Sequence, residues 1–215
     1  MPEPAVSFNA VIVAGGRSSR LGGEAKAHLS NGRQTLLELS LAALDAARLT
    51  VVVGPEDLEN LLPPGVLRTR EKPAFAGPAA ACYAGIALLA QQKPQALGQW
   101  TLLLAVDMPR VTLAVQALLA RASQAEQAEL GFMGHSQAGP EPLAGLYRSA
   151  LLLDPAFMAQ VPRAGRDLSV KKLLAPLKPT PLLLPAGSTD DVDTWDQAQA
   201  LGFGQAAQMG KDNPA

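Results

Sequence analysis

Short apolar runs alternate along the chain with longer segments that have helical spacing. The apolar runs, rich in β-forming residues, are Phe8–Ala14, Leu49–Val53, Trp100–Val106 and Leu182–Leu184. Continuous apolar runs of this length are typical of strands buried on both faces. Segments rich in Ala and Leu predict helices at Thr35–Ala47, Pro78–Gln91, Thr112–Gln124 and Leu168–Leu174. Because strand and helix alternate, we expect right-handed βαβ units around a mainly parallel sheet.

Local signals refine the boundaries of these elements. Pro78 suits the first turn of its helix, and Thr112 is the expected N-cap of the next one. The segments Leu130–Met133 and Leu143–Tyr147 predict a more irregular pair of strands. The stretch Phe203–Ala215 is rich in Gln, Gly and Ala and predicts a frayed tail. Without a repeat or a composition break, the sequence indicates one domain over residues 1–202 and a flexible tail over residues 203–215.

Composition and charge narrow the class of protein. A chain of 215 residues with 48% hydrophobic positions buries a full core without a disulfide or structural metal. The single cysteine, Cys82, indicates a reducing compartment. The net charge of −1 gives no general basic field for nucleic-acid binding. The start of the chain has neither a basic signal region nor an apolar stretch long enough to span a membrane. We therefore expect a cytoplasmic protein with a small-molecule partner.

A glycine-rich loop follows the first predicted strand. It reads Ala14-Gly-Gly-Arg-Ser-Ser-Arg-Leu-Gly-Gly-Glu-Ala-Lys26. Glycines at the carboxyl end of a parallel strand let backbone N–H groups approach phosphate oxygens, and Arg20 and Lys26 can neutralise their charge. The loop matches neither the Walker pattern nor the dinucleotide fingerprint. A polyanion is the expected ligand, and the alternative is a loop that only turns the chain.

Acidic residues follow a second strand and precede a late helix. Asp107 comes directly after the strand that ends at Val106, where a carboxylate beside a phosphate-binding loop is suited to hold Mg²⁺. The alternative role for Asp107 is to cap the Asp-Met-Pro turn. A second cluster contains Asp190, Asp191, Asp193 and Asp196. One of its carboxylates could complete a metal site, and the alternatives are a helix cap or a solvated face.

Taken in order, these motifs resemble the molybdenum cofactor guanylyltransferases, a family of NTP-transferase-like nucleotidyltransferases. The segment from Ala14 to Gly22, followed by Lys26, is similar to the family signature Leu-Ala-Gly-Gly-x-Ser-x-Arg-Met-Gly-x-x-Lys. Further matches follow in the family's order: Arg70-Glu71, Gly77-Pro78, Asp107-Met108-Pro109, Pro142–Tyr147, Gly165-Arg166-x-Leu168 and Asp191–Thr194. The resemblance spans about residues 8–201. It implies a single-domain, three-layer α/β/α fold with a Rossmann-like, mainly parallel sheet of about seven strands, of the nucleotide-diphospho-sugar transferase type.

The resemblance also implies roles for individual residues. Arg20, Lys26 and Asp107 are the expected catalytic residues, and Asp107 and Asp193 are the expected ligands of Mg²⁺. Arg163 and Arg166 are the expected acceptor-binding residues. The expected nucleotide-binding residues are Val13, Ala14, Gly15, Gly16, Lys26, Gly54, Glu71 and Gly77.

The implied reaction is Mg²⁺-dependent transfer of GMP from GTP to the phosphate of molybdopterin, with release of pyrophosphate. The resemblance also implies transient contact with other molybdenum cofactor proteins. The chain departs from the family pattern at Ala25, where an acidic residue usually precedes the lysine, and at Ala79–Ala81, where the family has Leu-Ala-Gly. Two alternatives stay open. One is a related transferase with another base or acceptor, such as a cytidylyltransferase or sugar-phosphate nucleotidyltransferase, and the other is a non-catalytic nucleotide-binding protein.

Overall fold

The computed structural model describes residues 6–16 and 18–205. Its strands are β1 Phe8–Val13, β2 Leu29–Ser30, β3 Thr50–Val53, β4 Leu67–Thr69, β5 Trp100–Ala105, β6 Gly131–Ser136, β7 Gly139–Arg148, β8 Thr180–Leu183 and β9 Gly204–Gln205. Its α-helices are α1 Leu36–Ala42, α2 Pro78–Ala90, α3 Val111–Ser123, α4 Ser149–Leu152, α5 Pro155–Gln160, α6 Val170–Leu174 and α7 Trp195–Ala200. Short 3-10 helices span Ser19–Leu21, Lys26–His28, Glu56–Leu61, Pro94–Ala96, Pro162–Gly165 and Ala175–Leu177.

Seven of the described strands form one sheet, in the order β4-β3-β1-β5-β7-β6-β8. Neighbouring strands run parallel except at β7, which is antiparallel to both β5 and β6. A tight turn joins β6 to β7, so those two strands form a hairpin. At the centre of the sheet, Val13 of β1 pairs with Val53 of β3 on one side and with Ala105 of β5 on the other. The carboxyl ends of these three strands therefore meet at one edge, and the mainly parallel α/β sheet is confirmed.

Helices cover both faces of the sheet. Alternate residues of a strand point to opposite faces, so β1 contributes to two separate cores. Ile12 belongs to the core that contains Leu37 of α1 and Val115 of α3. Val13 belongs to the opposite core, with Ile86 of α2 among its members. The resulting arrangement is the three-layer α/β/α architecture that the sequence predicts.

Several helix boundaries differ from prediction, most clearly at α1 and α3. The helix expected over Thr35–Ala47 is α-helical only over α1, and Thr35 is its N-cap in a reciprocal capping box with Glu38. The expected N-cap Thr112 is wrong, because α3 already begins at Val111. The Val111 N–H donates to the Met108 carbonyl at 3.2 Å, so the Asp-Met-Pro turn leads directly into the first helical turn.

The predicted tail begins three residues too early. The Phe203 side chain is only 4% exposed, and Gly204–Gln205 pairs antiparallel with Leu29–Ser30. Phe203 packs into a small hydrophobic group beside the main sheet, which we call the satellite core. Its buried members are Leu21, Leu29, Leu36, Val192, Ala198 and Phe203. Burial of this ring fixes residues 203–205 against the fold, and the rest of the predicted tail, residues 206–215, lies outside the described residues.

No helix in the described part of the chain combines the length and the apolar character that crossing a membrane requires.

Candidate functional site

A cleft of about 530 Å³ opens at the sheet edge where β1, β3 and β5 end. The glycine-rich loop forms one wall, and residues that follow β3 and β5 form the others. Eight of the predicted site residues line this cleft: Val13, Ala14, Gly15, Gly16, Arg20, Lys26, Asp107 and Asp193. The topology thus brings together residues that are far apart in the sequence, since 167 positions separate Lys26 from Asp193.

The glycine-rich loop that follows β1 contains backbone conformations that few residues other than glycine adopt. The Ala14 N–H still donates to the Val53 carbonyl at 2.8 Å, and beyond this bond the chain departs from the sheet. Gly22 and Gly23 adopt φ values of 67° and 89°, which glycine accepts without strain. Leu21 is buried in the satellite core and anchors the loop beside these glycines. The loop is therefore held from behind, while Gly15 and Gly16 are exposed toward the cleft.

Lys26 lies between two carboxylates on the cleft wall. Its Nζ donates to Asp107 Oδ2 at 2.6 Å and also to Asp193 Oδ1. Burial lowers the pKa of Lys26, but the two carboxylates raise it by more, so the net pKa is above its ordinary value. Lys26 is therefore a protonated ammonium at neutral pH. The Arg20 side chain is 74% exposed, and its guanidinium lies 3.8 Å from the Asp193 carboxylate, which adds a second cation on this wall.

Three carboxylates converge beside Lys26. Asp107, Asp191 and Asp193 each offer one oxygen, and these oxygens lie within 4.8 Å of one another. Burial raises the pKa of Asp191, and the neighbouring carboxylates of Asp193 and Asp107 raise it further. Like charges held this close favour a bound cation, and carboxylate oxygens are the ligands that Mg²⁺ prefers. Asp107 and Asp193 were the expected pair, and the structure adds Asp191 to them.

Backbone contacts hold this carboxylate group in place. The Val192 N–H donates to the Asp107 carbonyl at 3.0 Å, which fixes the segment after β8 against the end of β5. The Asp193 N–H donates to the Gln197 side chain at 2.8 Å, and Thr194 forms a capping box with the same glutamine. The start of α7 thereby sets the position of the Asp193 carboxylate.

A smaller cavity of about 190 Å³ adjoins the cleft. Glu71 lines it and is only 5% exposed. Its Oε1 accepts the Phe75 N–H at 2.8 Å, whereas its buried Oε2 has no hydrogen-bond partner among the described residues. Because a buried carboxylate oxygen without a partner is costly, this atom is suited to accept hydrogen bonds from a ligand. Val13, Gly15, Gly16 and Gly77 line the same cavity, so five of the predicted nucleotide-binding residues meet here.

Gly54, a predicted nucleotide contact, lines neither cavity within the described part of the structure. A Cβ at this position would lie 2.6 Å from Leu58 Cδ1, and the Gly54 N–H donates to the Thr69 carbonyl at 3.0 Å. Close packing therefore explains the glycine. Pro55 and Asp57, which follow it, line the cleft instead.

The expected acceptor-binding residues Arg163 and Arg166 also lie outside both cavities as described. Both are exposed, and Arg163 pairs with Asp167 at 3.5 Å. Their loop packs closely on the start of α2. The closeness is shown by Gly165, where an added Cβ would lie 2.7 Å from the Ala79 carbonyl oxygen. The acceptor role was expected from the family motif, but neither arginine lines the cleft or the adjoining cavity in the described structure.

Several cavity residues were missed by the sequence reasoning. Asp57, Arg70 and Phe75 all line the cleft. Asp57 contacts His28, with 2.9 Å between Oδ2 and Nε2, and the Arg70 guanidinium lies 5.1 Å from the centre of the Phe75 ring. The only available signal was position, since Arg70 belongs to the matched Arg70-Glu71 pair and Phe75 lies between that pair and Gly77-Pro78.

Comparisons with known sequences show which proteins this chain is similar to. The family model described as the MobA-like NTP transferase domain matches residues 10–180. A probable molybdenum cofactor guanylyltransferase from Nostoc sp. is 30% identical over 165 residues, which cover 75% of this chain and 74% of the relative. A protein of the same name from Synechococcus elongatus is 32% identical over 165 residues, covering 75% of this chain and 81% of the relative.

Solved structures share the architecture. Rv0371c from Mycobacterium tuberculosis superposes with a TM-score of 0.66 at 18% identity, covering 91% of this chain and 98% of that one. The 2-C-methyl-D-erythritol 4-phosphate cytidylyltransferase from Thermus thermophilus gives a TM-score of 0.60 at 20% identity, covering 95% and 99%. At these identities the likeness establishes the fold.

Proposed function

Because this chain belongs to the MobA-like NTP transferase family and is a nucleotidyltransferase, we propose that it transfers GMP from GTP to the phosphate of molybdopterin and releases pyrophosphate. One observation carries the proposal. The small cavity with the unpaired Glu71 oxygen opens beside the cleft that holds Lys26 and three carboxylates, and Gly15 and Gly16 line both. A base pocket beside a phosphate site is the arrangement that a nucleoside triphosphate requires. Two relatives named as guanylyltransferases support the choice of substrates.

Glu71 supports guanine as the base. Guanine presents an N1–H and a 2-amino group side by side, and a carboxylate can accept from both. Cytosine and adenine each present an amino group without a neighbouring ring N–H. Because the Oε2 atom has no partner in the described structure, a base that fails to donate to it would leave it unsatisfied, at a cost of about 1–3 kcal/mol.

Lys26, Arg20 and the glycine-rich loop support the phosphate half of the site. The reaction needs an acceptor phosphate oxygen held in line with the α-phosphorus of the nucleotide. That oxygen forms the new P–O bond as the bond to the β-phosphate oxygen breaks, and the electron pair leaves with pyrophosphate. The protonated Lys26 and the exposed Arg20 stabilise the charge on the leaving group. An ionised phosphate is already nucleophilic, so the step needs no general base.

The donor set of Asp107, Asp191 and Asp193 fits Mg²⁺, because three hard oxygens converge at one point. When bound, the ion would offset charge on the phosphates and polarise the α-phosphorus. Lys26 contacts two of these carboxylates, so we expect it to keep them in position before the nucleotide arrives.

For the acceptor, Arg163 and Arg166 stay the proposed binding residues, although neither lines the cavities that the structure describes. Arg20 is assigned to the leaving pyrophosphate, and an in-line acceptor enters from the opposite side of the α-phosphorus. Delivery of molybdopterin would involve transient contact with other molybdenum cofactor proteins.

The test is a panel of the four NTPs, each incubated with the protein, Mg²⁺ and molybdopterin, with pyrophosphate release as the readout. We expect release with GTP and little with CTP, ATP or UTP. Equal or faster release with CTP would favour the cytidylyltransferase alternative. If no NTP gave release but one of them raised the melting temperature, the non-catalytic alternative would hold, since a ligand at about 100 times its Kd adds roughly 2.7 kcal/mol of stability.

A further inference from the structure

Phe75 stands at the junction of the two cavities. Four of the described residues line both cavities, namely Val13, Gly15, Gly16 and Phe75. Val13 is buried at the end of β1, and the glycines have no side chain. Phe75 therefore supplies the exposed side chain of this junction, with 48% of its surface accessible. A nucleotide that reached from one cavity to the other would pass beside this ring and the glycine backbone.

The backbone conformation at Phe75 is one that side-chain-bearing residues rarely adopt. Its φ is +63°, in the left-handed region that bulky residues avoid. Strain of this kind persists where the surrounding structure imposes it, and it is concentrated at ligand sites. One contact that holds Phe75 in this conformation is the hydrogen bond from its N–H to Glu71 Oε1 at 2.8 Å. An exposed aromatic ring is thus held at a strained position by the same carboxylate whose second oxygen is unpaired in the described structure.

A neighbouring cation fixes the ring further. The Arg70 guanidinium lies over the Phe75 ring, 5.1 Å from its centre, within the range of a cation–π contact. Arg70 also lines the cleft. Glu71 therefore restrains the Phe75 backbone, and Arg70 restrains its ring. This lowers the conformational entropy that Phe75 would lose when a ligand binds.

We infer that Phe75 is a base-binding residue that stacks on the face of the donor nucleotide's base while Glu71 accepts hydrogen bonds from its edge. The inference rests on the proposed function and deepens it. Aromatic stacking recognises any planar base, because every base has a π-face, whereas the carboxylate discriminates among bases by their donors. Glu71 connects these two tasks, since one oxygen holds the stacking residue and the other is available to the base edge.

The experiment compares two ligands that differ by the nucleoside. Binding of GTP and of inorganic tripolyphosphate, both with Mg²⁺, is measured by calorimetry for the wild type and for Phe75→Leu, which keeps an apolar side chain but removes the aromatic face. We expect the Kd for GTP to rise about tenfold and the Kd for tripolyphosphate to stay within about twofold. The matched control is Leu113→Ala. Leu113 is also an exposed apolar residue, but it lies on α3 and lines neither cavity.

A second variant gives a direct signal. In Phe75→Trp the indole should retain GTP affinity, and its fluorescence should be quenched by GTP and not by tripolyphosphate, after subtraction of the wild-type signal from Trp100 and Trp195. Unchanged GTP affinity in Phe75→Leu, or an equal loss for GTP and tripolyphosphate, would overturn the stacking role. Repeating the titrations with CTP separates the two proposals. A wild-type preference for CTP would refute guanine specificity. The role of Phe75 would still be decided by whether Phe75→Leu raises the Kd for CTP more than the Kd for tripolyphosphate.

Discussion

The ammonium of Lys26 donates a 2.6 Å hydrogen bond to Asp107 across 81 positions of sequence. This bond joins the loop after β1 to the carboxyl end of β5, and a second contact from Lys26 reaches Asp193 before α7. One side chain therefore links the three segments that form the phosphate side of the cleft. Its removal affects both the charge offered to a phosphate and the spacing of the carboxylates.

Lys26→Ala should lower the rate of pyrophosphate release about 100-fold and leave the fold intact, because it removes one preorganised donor to the developing charge. Steady-state kinetics measure the rate, and thermal unfolding checks the fold. Lys26→Arg is the control that keeps the charge while changing its geometry, and we expect an intermediate loss. Activity of Lys26→Ala within about twofold of the wild type would remove Lys26 from the reaction.

Asp107→Ala should abolish Mg²⁺-dependent activity while preserving part of the metal-free nucleotide affinity, because Glu71 and the glycine loop are unchanged. Asp191→Asn and Asp193→Asn should weaken the response to Mg²⁺ in the same direction, since all three carboxylates converge. Asp57→Asn is the matched control, because Asp57 lines the cleft but pairs with His28. Titration of Mg²⁺ against each variant measures the effect, and an unaltered Mg²⁺ response in Asp107→Ala would leave that residue only a turn-capping role.

Glu71→Gln should weaken GTP binding by about 10- to 100-fold and change CTP or ATP binding little, because an amide presents one acceptor and one donor where the carboxylate presents two acceptors. The remaining carbonyl can still accept the Phe75 N–H, so the loop should keep its conformation. Competition of labelled GTP by each unlabelled NTP gives the affinities. Equal loss for all bases would show that Glu71 acts only through the loop.

Gly165→Ala should destabilise the protein by about 1–3 kcal/mol or more, because the residue has a φ of +81° and its new Cβ would lie 2.7 Å from the Ala79 carbonyl oxygen. Gly139→Ala is the matched control, since its φ is +126° but no atom lies within 4 Å of the added Cβ. Urea unfolding of both variants separates the contact from the backbone strain. If both lost the same stability, the packing of this loop on α2 would contribute nothing.

Cys82 should resist thiol reagents in the folded protein. It is buried in α2, and burial raises the pKa of its thiol to about 12, so almost no reactive thiolate exists at neutral pH. Mass spectrometry after iodoacetamide treatment should show no adduct under native conditions and complete modification in urea. Rapid labelling of the folded protein would indicate that α2 opens locally.

Most of the sheet could be predicted because its central strands are buried on both faces and have continuous apolar sequences. The strand β4 was missed, since Leu67-Arg68-Thr69 is a short, half-buried edge strand whose polar residues give no apolar run. Residues 203–205 were assigned to a tail because their composition is that of a loop, and only the tertiary contact of Phe203 with the satellite core orders them.

The phosphate side of the candidate site was predictable from the glycine loop and the acidic residues that follow β5. Which side chains face the cleft was less accessible, because orientation depends on contacts between distant elements. Gly54 serves packing against Leu58, and Arg163 and Arg166 follow a loop whose path is set by its contact with Ala79. The junction role that we infer for Phe75 depends on its position between two cavities, which no local pattern in the sequence encodes.

The satellite core has a consequence for the order in which the protein matures. Leu21, which anchors the glycine loop, is buried against Val192, Ala198 and Phe203. During synthesis, the last strand of the main sheet, β8, is complete at residue 183. The loop at that stage still lacks the packing that Val192, Ala198 and Phe203 provide for Leu21. We expect a nascent chain whose first 185 residues have emerged from the ribosome to have a formed sheet and a loosely held loop, so that the ability to bind nucleotide appears only after residue 203 has emerged.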